Sequence, residues 1–151
     1  MIERIANPNR LARARRFAFV WALFLFALTS WPRPPEVPVL SGIPNFDKLV
    51  HFGLYGVQAF LLYFAIAWPG RARFSALRVL AVLGVMALWA VADETHQDWI
   101  PGREMDGWDV IADCVGALAG ALAGSGISGA RIARLLVSPS PRPSPGGRGS
   151  S

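Results

Sequence analysis

The sequence predicts an all-α integral membrane bundle of four transmembrane helices, with both termini on the cytoplasmic side. Three observations predict it: a composition poor in charge, four long apolar stretches, and a charge pattern that alternates between them. Of 151 residues, 53% are hydrophobic and only 17% charged, below the roughly 25% charge of ordinary soluble domains. A chain of this length is expected to form one domain, and a soluble domain this small needs a charged skin. The charges come in blocks separated by uncharged runs, which lipid exposure explains.

A bilayer span takes about 20 mostly apolar residues, with a working range of roughly 17–25. The first stretch, Phe17–Trp31, is uncharged; Arg15 and Arg16 precede it and Trp31 closes it. The second, Leu49–Trp68, holds His51 and nothing else ionisable. The third, Leu77–Ala92, is short unless Arg78 extends its guanidinium back to the interface, as long cationic side chains do. The fourth runs from Trp108 to Ile127, with Asp109 and Asp113 in its first two turns. Pro32, Pro34, Pro35 and Pro38 end the first helix, because proline lacks an amide hydrogen and clashes with the preceding turn. Pro69–Gly70 ends the second, and Pro101–Gly102 forms a turn between the third and fourth. The expected organisation is a basic amino-terminal segment 1–16, a membrane domain 17–130, and a low-complexity, disordered tail 131–151.

Charge fixes the orientation. The amino-terminal segment carries +4, the loop after the second stretch +3 (Arg71, Arg73, Arg78) and the tail +4. Alternation puts all three on one side. On the other, residues 32–48 sum to 0, whereas residues 93–113 set Arg103 against seven carboxylates. The basic side is expected in the cytoplasm and the acidic 93–113 segment outside. A cleaved signal peptide has a similar amino-terminal form, but the run ends Thr29-Ser30-Trp31-Pro32 without a small-x-small cleavage site.

Several function classes are excluded. The isoelectric point of 10.6 comes from arginines flanking apolar segments, with no nucleic-acid motif beside them. The single cysteine, Cys114, forbids an internal disulfide and a Cys-rich metal site, and is expected as a small buried hydrophobe. No H-E-x-x-H, G-x-S-x-G or P-loop is present, and no cofactor is expected.

With this topology three polar groups meet at the outer face. Asp47, Lys48 and His51 open the second helix, with Tyr55 and Gln58 continuing their stripe. Asp93, Glu94, His96 and Gln97 close the third. Arg103, Asp106, Asp109 and Asp113 lead into the fourth, the aspartates sharing one helix face by their three- and four-residue spacing. Ionisable groups inside a membrane point into the bundle rather than to lipid. On what reads as the opposite face of the fourth helix, Ala112, Gly116, Gly120, Gly124 and Ser128 recur every four residues. Such a stripe lets helices approach closely, either within one chain or between two copies through Gly116, Gly120 and Gly124.

The stretch Asp47-Lys48-Leu49-Val50-His51-Phe52-Gly53-Leu54-Tyr55 resembles the D-K-x-x-H-F-x-x-Y signature of the VanZ-like family. The segment from Asp93 and Glu94 through Gln97 to Pro101-Gly102-Arg103 resembles the family's second block. Asp106-Gly107-Trp108-Asp109-Val110-Ile111-Ala112-Asp113-Cys114-Val115-Gly116 is similar to its third, D-x-x-D-x-x-A-N-x-x-G. The resemblance covers residues 45–124. It implies a small multi-pass protein of the bacterial cytoplasmic (inner) membrane with a cell-envelope role, in a family named after a protein of teicoplanin resistance. The implied site positions are Asp47, Lys48, His51, Tyr55, Glu94, Gln97, Arg103, Asp106, Asp109 and Asp113. Asp113 stands where the family has Asn, so a role needing a neutral amide there requires its carboxyl protonated, which burial favours.

Three readings stay open. The outer cluster is a pocket in which Lys48, Arg103 and His51 hold a phosphate- or carboxylate-bearing ligand, such as a lipid-linked envelope precursor. Alternatively it is an acid–base or metal-assisted hydrolase or transferase site, with His51, Glu94 and Asp109 as catalytic candidates and His51, His96 and Asp93 as metal candidates. Or it is a structural polar network that fixes helix register. Besides the bilayer, the expected partner is an anionic or lipid-linked ligand and not nucleic acid.

Overall fold

The computed structural model describes residues 8–32, 44–66 and 75–137, and side chains within 9–32, 44–66 and 76–126. Among these residues the chain forms four helices: α1 (Pro8–Thr29), α2 (Phe46–Ala65), α3 (Ser75–Gln97) and α4 (Gly107–Val137). Pro34, Pro35, Pro38, Pro69–Gly70 and the tail from Ser138 lie outside the described residues.

Among the described residues, three helices are long and apolar enough to cross a membrane: Phe46–Ala65, Ala76–Gln97 and Gly107–Gly126. The sequence predicted four such spans. α1 falls short because its first half holds Arg10, Arg13, Arg15 and Arg16, leaving an uncharged stretch below the usual spanning length. α1 nevertheless packs on the others: Trp21 Nε1 donates to the Leu54 carbonyl at 3.0 Å, and Arg15 Nε to the Ala65 carbonyl at 3.2 Å.

Successive helices run in opposite directions. Thr29, His51, Asp93 and Asp109 therefore lie at one end and Arg15, Ala65 and Arg78 at the other. Arg78 was expected to reach for the interface; its guanidinium lies over the Tyr63 ring, 5.0 Å from the centroid. There a cation–π contact serves the charge within the bundle.

The bundle is apolar outside as well as inside. Leu80, Leu88, Val91, Ile111 and Leu122 are exposed, an arrangement suited to lipid. Trp31, Trp99 and Trp108, all exposed, ring the end that carries the polar cluster; tryptophan is the residue favoured at membrane–water interfaces. The core is built of Leu25, Tyr55, Tyr63, Val82 and Met86 with Ala59, Ala90, Ala117 and Ala121 between them. Cys114, expected buried, is half-buried on α4.

The tightest packing joins α2 to α4. A Cβ added at Gly116 would overlap the Phe52 carbonyl, and one at Gly120 the Gly56 carbonyl. At Gly124 it would meet the Tyr63 ring at 3.0 Å. The small-residue stripe thus works within one chain. The three glycines are buried under α2. The stripe also does not oppose the carboxylates. Asp113 and Gly116 are three residues apart, so aspartates and glycines form one continuous stripe on the α2-facing side.

Candidate functional site

Each helix delivers its polar residues for a local reason. Asn45 adopts a left-handed conformation (φ 58°) that asparagine tolerates, and α2 begins directly after it. As expected, α2 carries Asp47, Lys48, His51 and Tyr55 on helical spacing, with Asp47 and Lys48 in the turn before the apolar stretch from Leu49. α3 continues five residues past the apolar stretch, so Asp93, Glu94, His96 and Gln97 stand on its last turns as expected. Pro101 and Gly102 (φ 85°) then make a turn closed by Arg103 N–H donating to the Ile100 carbonyl at 3.0 Å. Proline and a positive-φ glycine at the two central positions mark a type II turn. Asp106 accepts from the Trp108 amide at 2.8 Å, the pattern of a side-chain cap on a helix start, and α4 follows.

These elements form two linked polar groups. In the outer one, Lys48 Nζ lies 2.8 Å from Asp47 Oδ2, 2.8 Å from Asp109 Oδ1, and also pairs with Asp106. Exposure falls inward, from 60% for the Asp47 side chain through 23% for Lys48 to 12% for His51 and Asp109. Asp106 precedes the span of α4, and its carboxyl is held below the ordinary aspartate value, first by the Lys48 hydrogen bond and then by the Trp108 amide. His51 is the pivot: Nδ1 sits 3.0 Å from Asp113 Oδ1, and Nε2 faces Asp109 Oδ2 at 3.7 Å. Asp113 has no exposed surface, and its Oδ2 has no hydrogen-bond partner.

The inner group centres on Asp93. Its carboxylate accepts from Thr29 Oγ1 at 2.8 Å, Tyr55 Oη at 2.8 Å and Gln97 Nε2 at 3.3 Å. Gln97 also donates to Glu94 Oε1 at 3.1 Å, and its own carbonyl oxygen accepts from Arg103. Glu94 Oε2 accepts from the Asp106 amide at 3.0 Å, tying the loop back to α3.

The structure thus brings together Asp47, Lys48, His51, Tyr55, Asp93, Glu94, Gln97, Arg103, Asp106, Asp109 and Asp113. His96 does not join them. One residue before Gln97 it points towards α1, where its ring stacks on Phe26 at 5.1 Å. Of the predicted metal set, Asp93 is tied up by three donors; among the described residues two groups have ligand atoms mutually within 4.8 Å, His51 with Glu94 and Asp109, and Asp47 with Asp106 and Asp109. Thr29 was not singled out from the sequence. Its only signal is a hydroxyl at the end of an apolar run.

The arrangement offers chemistry in layers: a carboxylate-bound cation at the rim, a histidine held between two carboxylates below it, and a sealed hydrogen-bond network beneath. No curated protein and no solved structure matches the chain. The family comparison does: the model of VanZ/LLP1 matches residues 6–127, the whole site included, and the chain belongs to the VanZ/LLP1 family.

Proposed function

We propose that this VanZ-family membrane protein uses its polar end for acid–base chemistry on the head group of a membrane-borne envelope substrate. The observation that carries this reading is His51. A buried carboxylate on Nδ1 fixes the ring's orientation and tautomer, and the other nitrogen is left to take or give a proton. Asp109, 3.7 Å from Nε2, is near enough to share that proton once a substrate tightens the contact. An anion-binding pocket is the second reading, because Lys48 and Arg103 stand at the mouth. Both cations already have partners, Lys48 in three carboxylates and Arg103 in Gln97. A phosphate would have to displace those groups, which favours the acid–base reading. A link to glycopeptide response rests on the family's name alone.

The test is turnover of lipid-linked phosphates and diphosphates by the purified protein in proteoliposomes. Wild type is expected to release product, and His51→Gln to lose at least about 100-fold in rate, the low end for a general acid or base. Saturable binding without turnover would replace this reading with the anion-binding one. If His51→Gln lowers only thermal stability and leaves turnover intact, the cluster is structural.

Charge supports placing this end outside the cell. Arg13, Arg15, Arg16 and Arg78 stand towards the far end, the end that the positive-inside tendency assigns to the cytoplasm. In a bacterial host, a reporter fused after Ile100 should therefore be active on the outer side of the cytoplasmic membrane. A cytoplasmic signal would reverse the orientation and move the substrate to the inner leaflet.

A further inference from the structure

We infer that His51, Glu94 and Asp109 form a binding site for one divalent transition-metal ion, with Asp113 as the outer carboxylate that orients His51. The inference rests on the acid–base reading of the same site and changes one part of it: an ion held on Nε2 makes His51 a ligand there, and the proton chemistry passes to the ion's open position.

Geometry is the first support. One ring nitrogen of His51 and one carboxylate oxygen each of Glu94 and Asp109 lie within 4.8 Å of one another. Nδ1 is taken by Asp113 at 3.0 Å, so Nε2 is the nitrogen that faces the group. Its 3.7 Å separation from Asp109 Oδ2 is too long for a hydrogen bond. It suits two ligands of a common ion, which at roughly 2.0–2.2 Å from the metal stand about 3–4 Å apart. A histidine that ligates metal through one nitrogen almost always gives the other ring N–H to a carboxylate or carbonyl. Asp113, with no exposed surface, is placed to receive it.

Charge is the second, independent support. Six carboxylates (Asp47, Asp93, Glu94, Asp106, Asp109, Asp113) surround the cluster, with Lys48 and Arg103 as cations. Lys48 serves Asp47, Asp106 and Asp109, and Arg103 is engaged with Gln97. Glu94, fully buried, accepts among the described residues only from the Gln97 amide and the Asp106 N–H. Asp113 keeps Oδ2 wholly without a partner. Buried carboxylates lacking a counter-cation are costly, and a dication among His51, Glu94 and Asp109 supplies one. A second acidic group, Asp47 with Asp106 and Asp109, needs no ion, because Lys48 lies among its oxygens.

One nitrogen and two carboxylate oxygens is a donor set for zinc or manganese rather than for the softer, thiolate-bound metals. Three protein ligands leave a position for water or a substrate oxygen, the mark of catalytic rather than structural sites.

The experiment uses tag-free, full-length protein in detergent, stripped with chelator and titrated with Zn2+ by calorimetry, with Mn2+ followed by electron paramagnetic resonance. One equivalent per chain is expected. His51→Ala and Glu94→Gln should each weaken binding at least about 100-fold, and Asp113→Asn about 10- to 100-fold, as loss of an outer-shell partner does. His96→Ala, whose ring lies on Phe26, should bind as wild type. If His51→Ala does not fold, wild type and Glu94→Gln suffice: Zn2+ should raise the melting temperature of the first and not of the second. Wild type that binds neither ion saturably, or His51→Ala that binds as His96→Ala does, overturns the proposal. Turnover without metal would overturn it while leaving the acid–base reading standing; stoichiometric metal without turnover would do the reverse.

Discussion

Gly120→Ala is expected to separate α2 from α4 and dismantle the polar site with them. The added methyl would land on the Gly56 carbonyl oxygen, a backbone atom that cannot rotate away as a side-chain tip can. One helix must therefore move. Overpacking of a tight core costs roughly 1–3 kcal/mol and sometimes more; a clash of backbone against Cβ belongs at or beyond the top of that range. Gly116→Ala should match it, since its methyl overlaps the Phe52 carbonyl. Gly56→Ala, 3.1 Å from the Gly116 carbonyl, and Gly124→Ala, 3.0 Å from the Tyr63 ring, should cost less. Gly53→Ala and Gly84→Ala, with nothing within 4 Å, should cost nothing and can gain from alanine's higher helix propensity. Unfolding in detergent, followed by circular dichroism, gives the order directly. A Gly120→Ala protein that melts with Gly84→Ala would mean that the close α2–α4 approach is wrong. The stake is functional as well, because the same contact sets His51 against Asp113: His51 adjoins Phe52, and Asp113 lies one turn before Gly116.

Much of this site was legible in the sequence because it obeys helical spacing. Asp47, His51 and Tyr55 recur every four residues, and the Pro101–Gly102 pair announced the turn that returns Arg103 towards α3. What was missed follows from reading spans off hydropathy. Four spans were expected where three helices qualify, since a run bounded by arginines looks the same whether or not the arginines are helical. The glycine stripe was put on the wrong side of α4. Counting it from Ala112 hides that Gly116 follows Asp113 by three residues, about one turn. Thr29 and the place of His96 were beyond single-sequence reasoning, because both depend on where α1 docks, and local periodicity says nothing of that.

Asp93→Ala is expected to destabilise the protein by about 3 kcal/mol, the upper part of what an orphaned buried hydrogen-bonding group costs, and to do so through one neighbour. Three donors converge on Asp93, and two of them have somewhere else to go. The Thr29 hydroxyl already shares the Leu25 carbonyl at 3.1 Å, and the Gln97 amide already donates to Glu94 at 3.1 Å. The Tyr55 hydroxyl has no second partner among the described residues, and its side chain is 1% exposed. Most of the loss should therefore be the stranded phenol. The consequence is a sign that simple addition does not give: Tyr55→Phe alone destabilises, but in the Asp93→Ala background it should recover about 1–2 kcal/mol, because removing both partners relieves the unmet donor. Thr29→Val should show little such rescue, since its hydroxyl falls back on the α1 backbone. A double-mutant cycle on the detergent melts measures both couplings. If Tyr55→Phe adds its full cost on top of Asp93→Ala, the hydroxyl does not depend on Asp93. The network joining α1, α2 and α3 beneath His51 would then have to be redrawn around another acceptor.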